Sequence, residues 1–140
     1  MTPISFHQQT KVNLAERNRL KAFIDKLLKK HKKQFDSLTY IFCTDEYLLG
    51  MNKQFLKHDY YTDILTFDLS EPGLPGEAEI YISIDRVKDN AKSLEVSMQK
   101  ELHRVIFHGA LHLCSYKDKT KKDKLAMTAA EDECLKLYFS

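Results

Sequence analysis

Residues 105–118 read VIFHGALHLCSYKD. An apolar run holds two histidines, His108 and His112, and then gives way to a polar segment containing Asp118. Positions four apart on a helix lie about one turn apart on the same face. From there two imidazoles can grip one metal ion from one side, and a ligand just past the helix can close the other. The second half of the run is apolar nearly all round, so a helix from Ser97 to about Cys114 should be buried on most sides. Gly109 in its interior costs about 1 kcal/mol relative to alanine, which implies close packing against a neighbouring backbone.

Working outward, the pattern predicts a mixed α+β chain. Ile4–His7 reads as a short strand, and Asn13 with Glu16 resembles a capping box ahead of a helix over Leu14–His31. Leu38–Cys43 is β-branched and aromatic, a buried strand. Thr44 and Asp45 offer an N-cap for a helix presenting Leu48, Met51 and Phe55 to the core. Lys57–Tyr61 reads as a surface loop. Ile64–Leu69 follows as a strand with Leu65, Phe67 and Leu69 on one side. Pro72, Gly73, Pro75 and Gly76 form a turn. Glu79–Ile84 alternates, with Ile80, Ile82 and Ile84 inward. Asp85 caps a helix carrying Val87, Ala91 and Leu94. After the central helix, Thr120 and Asp123 form a capping box for a last helix with Met127, Ala130, Cys134, Leu135 and Tyr138 inward. The expectation is one compact domain over residues 1–140, with about four strands in a mixed sheet, about five helices, and the two histidines on a central buried helix.

Bulk properties narrow the class. A chain of 140 residues, 43% hydrophobic and 30% charged, can bury a core without staples. No apolar run approaches the roughly 20 residues of a membrane span, so no membrane partner is expected. The N-terminus lacks the basic flank and apolar core of a signal peptide. Cys43, Cys114 and Cys134 are odd in number and unpaired in spacing, as reduced thiols of a cytoplasmic protein would be. The net charge is only +2, but Lys117, Lys119, Lys121, Lys122 and Lys124 cluster beside the histidine helix. Such a rim favours a polyanionic substrate. A second cluster, Lys26 to Lys33, reads as a solvated helix end that complements the dipole.

Chemistry enters through the histidines. Each buried neutral imidazole keeps a nitrogen that needs a partner, and one shared metal serves both. Imidazole nitrogens with a carboxylate oxygen suit zinc best, with other divalent metals as alternatives. Asp118 lies where metzincin-like proteins carry a third histidine, ten residues after the first. It is the candidate third ligand, with Asp123 and Glu131 as fallbacks. A zincin protease has its glutamate base directly after the first histidine, and here that position is Gly109. Peptide hydrolysis by that route is thereby disfavoured. A small residue there would leave room above the metal, and phosphodiester chemistry needs no such base.

The sequence His108-Gly109-Ala110-Leu111-His112-Leu113, followed by Tyr116, resembles the HGxLHLxGYxH signature of the YbeY family. Those proteins are bacterial, metal-dependent, single-strand-specific endoribonucleases of ribosomal RNA maturation and ribosome quality control. Thr62-Asp63-Ile64-Leu65-Thr66-Phe67 is similar to the family's TDVLSF strand, Asn52, Phe55 and Asp59 precede it at the family's spacing, and Glu79–Ser83 resembles the next strand. The resemblance spans roughly residues 40–135. It implies a zinc ion on His108, His112 and Asp118, with aspartate in place of the usual histidine, and a water held by the metal attacking phosphorus. Those three residues are the expected catalytic set, with Lys57, Lys117 and Lys119 binding substrate. The implied partners are ribosomal RNA, matured at the 3′ end of the small-subunit rRNA, and the small ribosomal subunit; no DNA is expected. Three further positions depart from the pattern: Ser115 replaces a glycine, Leu56 replaces an arginine with Lys57 next to it, and Ala78 replaces a glycine. The alternative is a non-catalytic ribosome-assembly or RNA-binding factor with a structural metal.

Overall fold

Strand periodicity shows which residues each face of the sheet buries. The computed structural model describes residues Met1–Ser140. Four strands form one sheet: β1 (Ile4–Gln8), β2 (Ser37–Cys43), β3 (Ile64–Asp68) and β4 (Glu77–Ser83), in the order β1-β2-β4-β3. β1 and β4 both run parallel to β2, while β3 is antiparallel to β4 at one edge. Register places Tyr40 beside Ile80 and Ile64 beside Ile82. Five helices complete the α+β fold: α1 (Arg17–Lys30), α2 (Asp45–Leu56), α3 (Ile84–Leu94), α4 (Met98–Leu113) and α5 (Lys121–Tyr138).

Successive side chains point to opposite faces of a strand. Leu38, Tyr40 and Phe42 of β2, with Ala78, Ile80 and Ile82 of β4, join the main core with residues of α1, α3, α4 and α5. The odd-numbered positions Cys43 and Leu65, with the partly buried Phe67 and Tyr81, join a much smaller cluster under Leu48 and Met51 of α2. One face therefore carries four helices and the other a single one.

Helix α4 is the centre of the thick layer. Leu102, Val105, Ile106, Phe107, Ala110 and Leu111 are all buried. The Tyr40 hydroxyl donates to the Ile106 carbonyl at 3.0 Å and ties the helix to the sheet. A Cβ at Gly109 would lie 2.9–3.0 Å from methyl carbons of Ile80 and Ile64. The glycine permits a close approach as expected, but to sheet side chains rather than to a backbone. It faces the sheet, so it opens no room above a metal.

Several local readings need correction. Helix α1 begins at Arg17 behind a left-handed Glu16 with no side-chain cap, so the Asn13–Glu16 box does not form. Ser83, not Asp85, caps α3 by accepting from the Arg86 amide at 3.1 Å. Phe55, expected in the core, is more than half exposed, as are Leu69 and Leu94. The caps at Thr44 and Thr120 form as expected, the latter as a full box with Asp123, and Ser97, expected as the start of α4, is its N-cap.

Candidate active site

Charged residues spaced three and four apart line one face of α4: Glu101, Arg104, His108 and His112. Glu101 and Glu131 are 1% and 4% exposed, so their charges need partners inside the protein. Arg104 supplies them. Its Nε and Nη2 donate to Glu101 at 2.8 and 2.5 Å, and its Nη1 donates to Glu131 Oε1 at 3.0 Å. The other oxygen of Glu131 lies 2.5 Å from His108 Nδ1. One buried carboxylate therefore joins the arginine of α4 to its first histidine.

His108 then has one ring nitrogen fixed and the other free. Its Nε2 faces Asp118 Oδ2 at 3.5 Å. The end of α4 makes this approach possible. Ser115 adopts φ +76°, its amide donates to the His112 carbonyl at 3.0 Å, and the Tyr116 amide returns to Leu111 at 3.1 Å. This is the Schellman pattern, which stops the helix and reverses the chain. Asp118 thereby comes back to a residue ten positions earlier. Serine occupies the left-handed position where the resembled family has glycine, so the turn is kept without it.

Asp63 approaches from β3's entry. It lies 3.9 Å from Arg104 Nη2, accepts from Asn90 Nδ2 at 3.4 Å, and its carbonyl accepts from the Ser83 amide at 2.9 Å. The loop before it is held by buried Asn52, whose Nδ2 donates to the Tyr60 carbonyl at 2.9 Å. Burial pushes the Asp63 carboxyl above its ordinary range despite the pull of Arg104 and His108. For His108, burial disfavours the charged ring, yet the Glu131 hydrogen bond and charge, with Asp63 and Asp118, outweigh it and raise the pKa.

Of the expected ligands, the structure brings His108 and Asp118 together. His112 lies on the same face one turn on, but it is exposed and its imidazole has no hydrogen bond or ion pair, so burial does not demand a partner for the ring. As the side chains stand, no three His, Cys, Asp or Glu groups converge to hold a metal. Glu131, a fallback ligand, instead orients His108. Asp123 serves the α5 cap. Lys117 and Lys119 flank Asp118, and with Lys121, Lys122 and Lys124 they are exposed and free of ion pairs. Lys57 sits elsewhere, as the left-handed C-cap of α2, with no polar contact to the histidines or Asp118. Arg104, Glu101 and Asp63 were not expected, although the spacing of Glu101 and Arg104 from His108 could have signalled the first two.

The donor set nonetheless fits a divalent cation. His108 Nε2 and Asp118 Oδ2 lie 3.5 Å apart, an imidazole and a carboxylate of the kind zinc takes, with the imidazole of His112 one turn along the same helix face. Histidine ligands characteristically have their second nitrogen held by a carboxylate, as Glu131 holds His108.

The chain is similar to known proteins over nearly its whole length. Residues 4–138 match the model of the family described as endoribonuclease YbeY. The chain is 52% identical over 132 residues to the endoribonuclease YbeY of Cytophaga hutchinsonii, covering 94% of this chain and 92% of that protein. Identity to the Flavobacterium psychrophilum protein of the same description is 42%, over 96% of each chain. Among solved structures, the solution structure of TM1509 from Thermotoga maritima superposes with a TM-score of 0.61 at 26% identity, covering 99% of this chain and 89% of that one.

Proposed function

Because this chain belongs to the endoribonuclease YbeY family, we propose that it hydrolyses phosphodiester bonds of single-stranded RNA, with ribosomal RNA of the small subunit as its substrate. The observation that carries the reading is the Glu131–His108–Asp118 line, one buried carboxylate on Nδ1 and one exposed carboxylate on Nε2. His108, His112 and Asp118 would hold a zinc ion, or another divalent metal, and the bound ion would supply charge neutralisation at phosphorus and an activated water at neutral pH.

The protein's own groups have separate tasks. Glu131 fixes the tautomer and orientation of His108, keeping the proton on Nδ1 and the lone pair on Nε2. Arg104 holds Glu131 in place and offsets its charge. Lys117 and Lys119, with Lys121 to Lys124 behind them, draw in the RNA backbone as mobile point charges. Lys57 would reach the strand from the α2 side. No carboxylate base can stand at position 109, which is packed against Ile64 and Ile80. The reading as a structural-metal assembly factor is weaker, because His112 and Asp118 are both exposed, as suits an open site rather than a closed one.

The direct test is cleavage of a labelled single-stranded RNA by protein with and without added zinc. His108→Ala should remove cleavage while leaving the circular dichroism spectrum intact. Cleavage by that variant at the parent rate would refute the proposal.

A further inference from the structure

The thin side of the sheet carries a groove of about 590 Å³ between α2 and the β3–β4 pair. Its walls include Tyr47, Phe55, Phe67 and Tyr81. The rings contact one another, Tyr47 stacked on Tyr81 and Phe67 meeting both Phe55 and Tyr81 edge to face. Tyr47 is 45%, Phe55 58% and the neighbouring Leu69 56% exposed. A contiguous apolar patch of this kind marks an interaction surface more often than an isolated exposed side chain does.

Charge identifies the occupant. Glu46 and Glu79 stand in the groove wall, and Glu77, two residues before Glu79 on the same face of β4, and Glu71 in the β3–β4 connection are exposed. None of these four carboxylates is in an ion pair; Glu46 and Glu79 only accept from tyrosine hydroxyls. Between Lys57 and Arg86 the chain has no lysine or arginine at all. Of the lysines without an ion pair, Lys117, Lys119, Lys121, Lys122 and Lys124 lie beside the histidine helix, and Lys57, which ends α2, is not among the groove's lining residues. Phosphate is repelled here, whereas a cationic side chain meets uncompensated carboxylates and aromatic faces together.

We propose that this groove is a docking surface for a segment of a partner protein that is both basic and apolar, with arginine or lysine alternating with aliphatic residues. It leaves the lysine-rimmed site free, so the two ligands are held at once. The proposal does not depend on RNA cleavage.

The test uses a short fluorescein-labelled peptide alternating arginine and leucine, titrated into the full chain and followed by anisotropy. Binding should weaken with salt, and Glu46→Lys/Glu79→Lys should lower affinity about tenfold or more, the scale of losing close charge pairs. Phe55→Ser should weaken it too, and a peptide with serine for leucine should bind poorly. Cleavage of single-stranded RNA should be unchanged in each variant. Undiminished peptide binding by the double lysine variant would overturn the proposal. So would loss of single-stranded RNA binding in Phe55→Ser, which would assign the rings to nucleobases. A dimer in sedimentation that dissociates in the double lysine variant would assign the face to a second copy, with the same consequence.

Discussion

The two faces of the sheet differ in how firmly they hold what lies on them. On the helical face, α4 is buried against Ile80 and Ile64, and the charges it carries are fixed by hydrogen bonds. On the other face one helix covers a cluster of three buried residues, and four aromatic rings remain accessible. Positioning a reacting group demands the first arrangement, since small displacements are costly to catalysis. Docking a partner tolerates the second, because part of the surface stays open until something covers it. The same alternation along β3 and β4 supplies both, one face from Ile64, Ile80 and Ile82 and the other from Leu65, Phe67 and Tyr81.

The contrast is most exposed to failure at Phe107. It is fully buried and contacts Phe23, His103 and Tyr138. Phe107→Ala should cost about 3–5 kcal/mol in urea unfolding, from lost transfer energy and an unfilled cavity. A loss below about 1 kcal/mol, well under that range, would mean the thick layer collapses around vacancies and is not the rigid side.

Glu131→Ala probes the buried charges next. It strips Arg104 and His108 of a shared partner while leaving both in place, and a broken buried pair typically costs about 3 kcal/mol or more. Glu131→Gln keeps the shape and should cost less. Its effect should fall on zinc affinity and cleavage, by about 10–100-fold, as for other groups that orient a metal-binding histidine. Unchanged zinc affinity, read by competition with a chromogenic chelator, would deprive Glu131 of that role.

Ser115→Gly should be a small gain. A non-glycine residue in left-handed geometry costs about 1–2 kcal/mol, and glycine's greater unfolded-state freedom returns about half of this. The net rise, under about 1 kcal/mol, is readable as a shift in the urea midpoint. If stability instead falls, Ser115 contributes contacts that outweigh its backbone conformation.

Much of this was legible in the sequence because its signals are local. Alternation at Ile80 and Ile82, helical spacing in α1 and α4, and caps at Thr44 and Thr120 each act over a few residues. The histidine pair and the return of Asp118 to it were likewise readable from spacing. What escaped was set by tertiary context. Asn13 and Glu16 have the composition of a capping box, yet Glu16 takes a left-handed conformation and the box is lost. Phe55 and Leu69 are apolar, but whether a partner element covers them is not encoded in their own spacing. Glu131 was readable only as a spare ligand, since its pairing with His108 requires α5 to lie along α4. His112 shows the reverse error, an exposed residue inferred to be buried because its helix is.

The smallest effect is the one that tests the open face. Phe55→Ala should change unfolding free energy by no more than about 0.5 kcal/mol, as surface substitutions usually do. The ring is 58% exposed and touches Phe67 only at an edge. Removing it should still weaken the basic, apolar peptide, since an aromatic anchor carries binding energy disproportionate to its contribution to folding. Stability and binding would then separate at this residue, whereas at Phe107 they cannot. A stability loss at Phe55 comparable to that at Phe107 would mean that the rings are core in everything but exposure, and the distinction between a holding face and a docking face would fail.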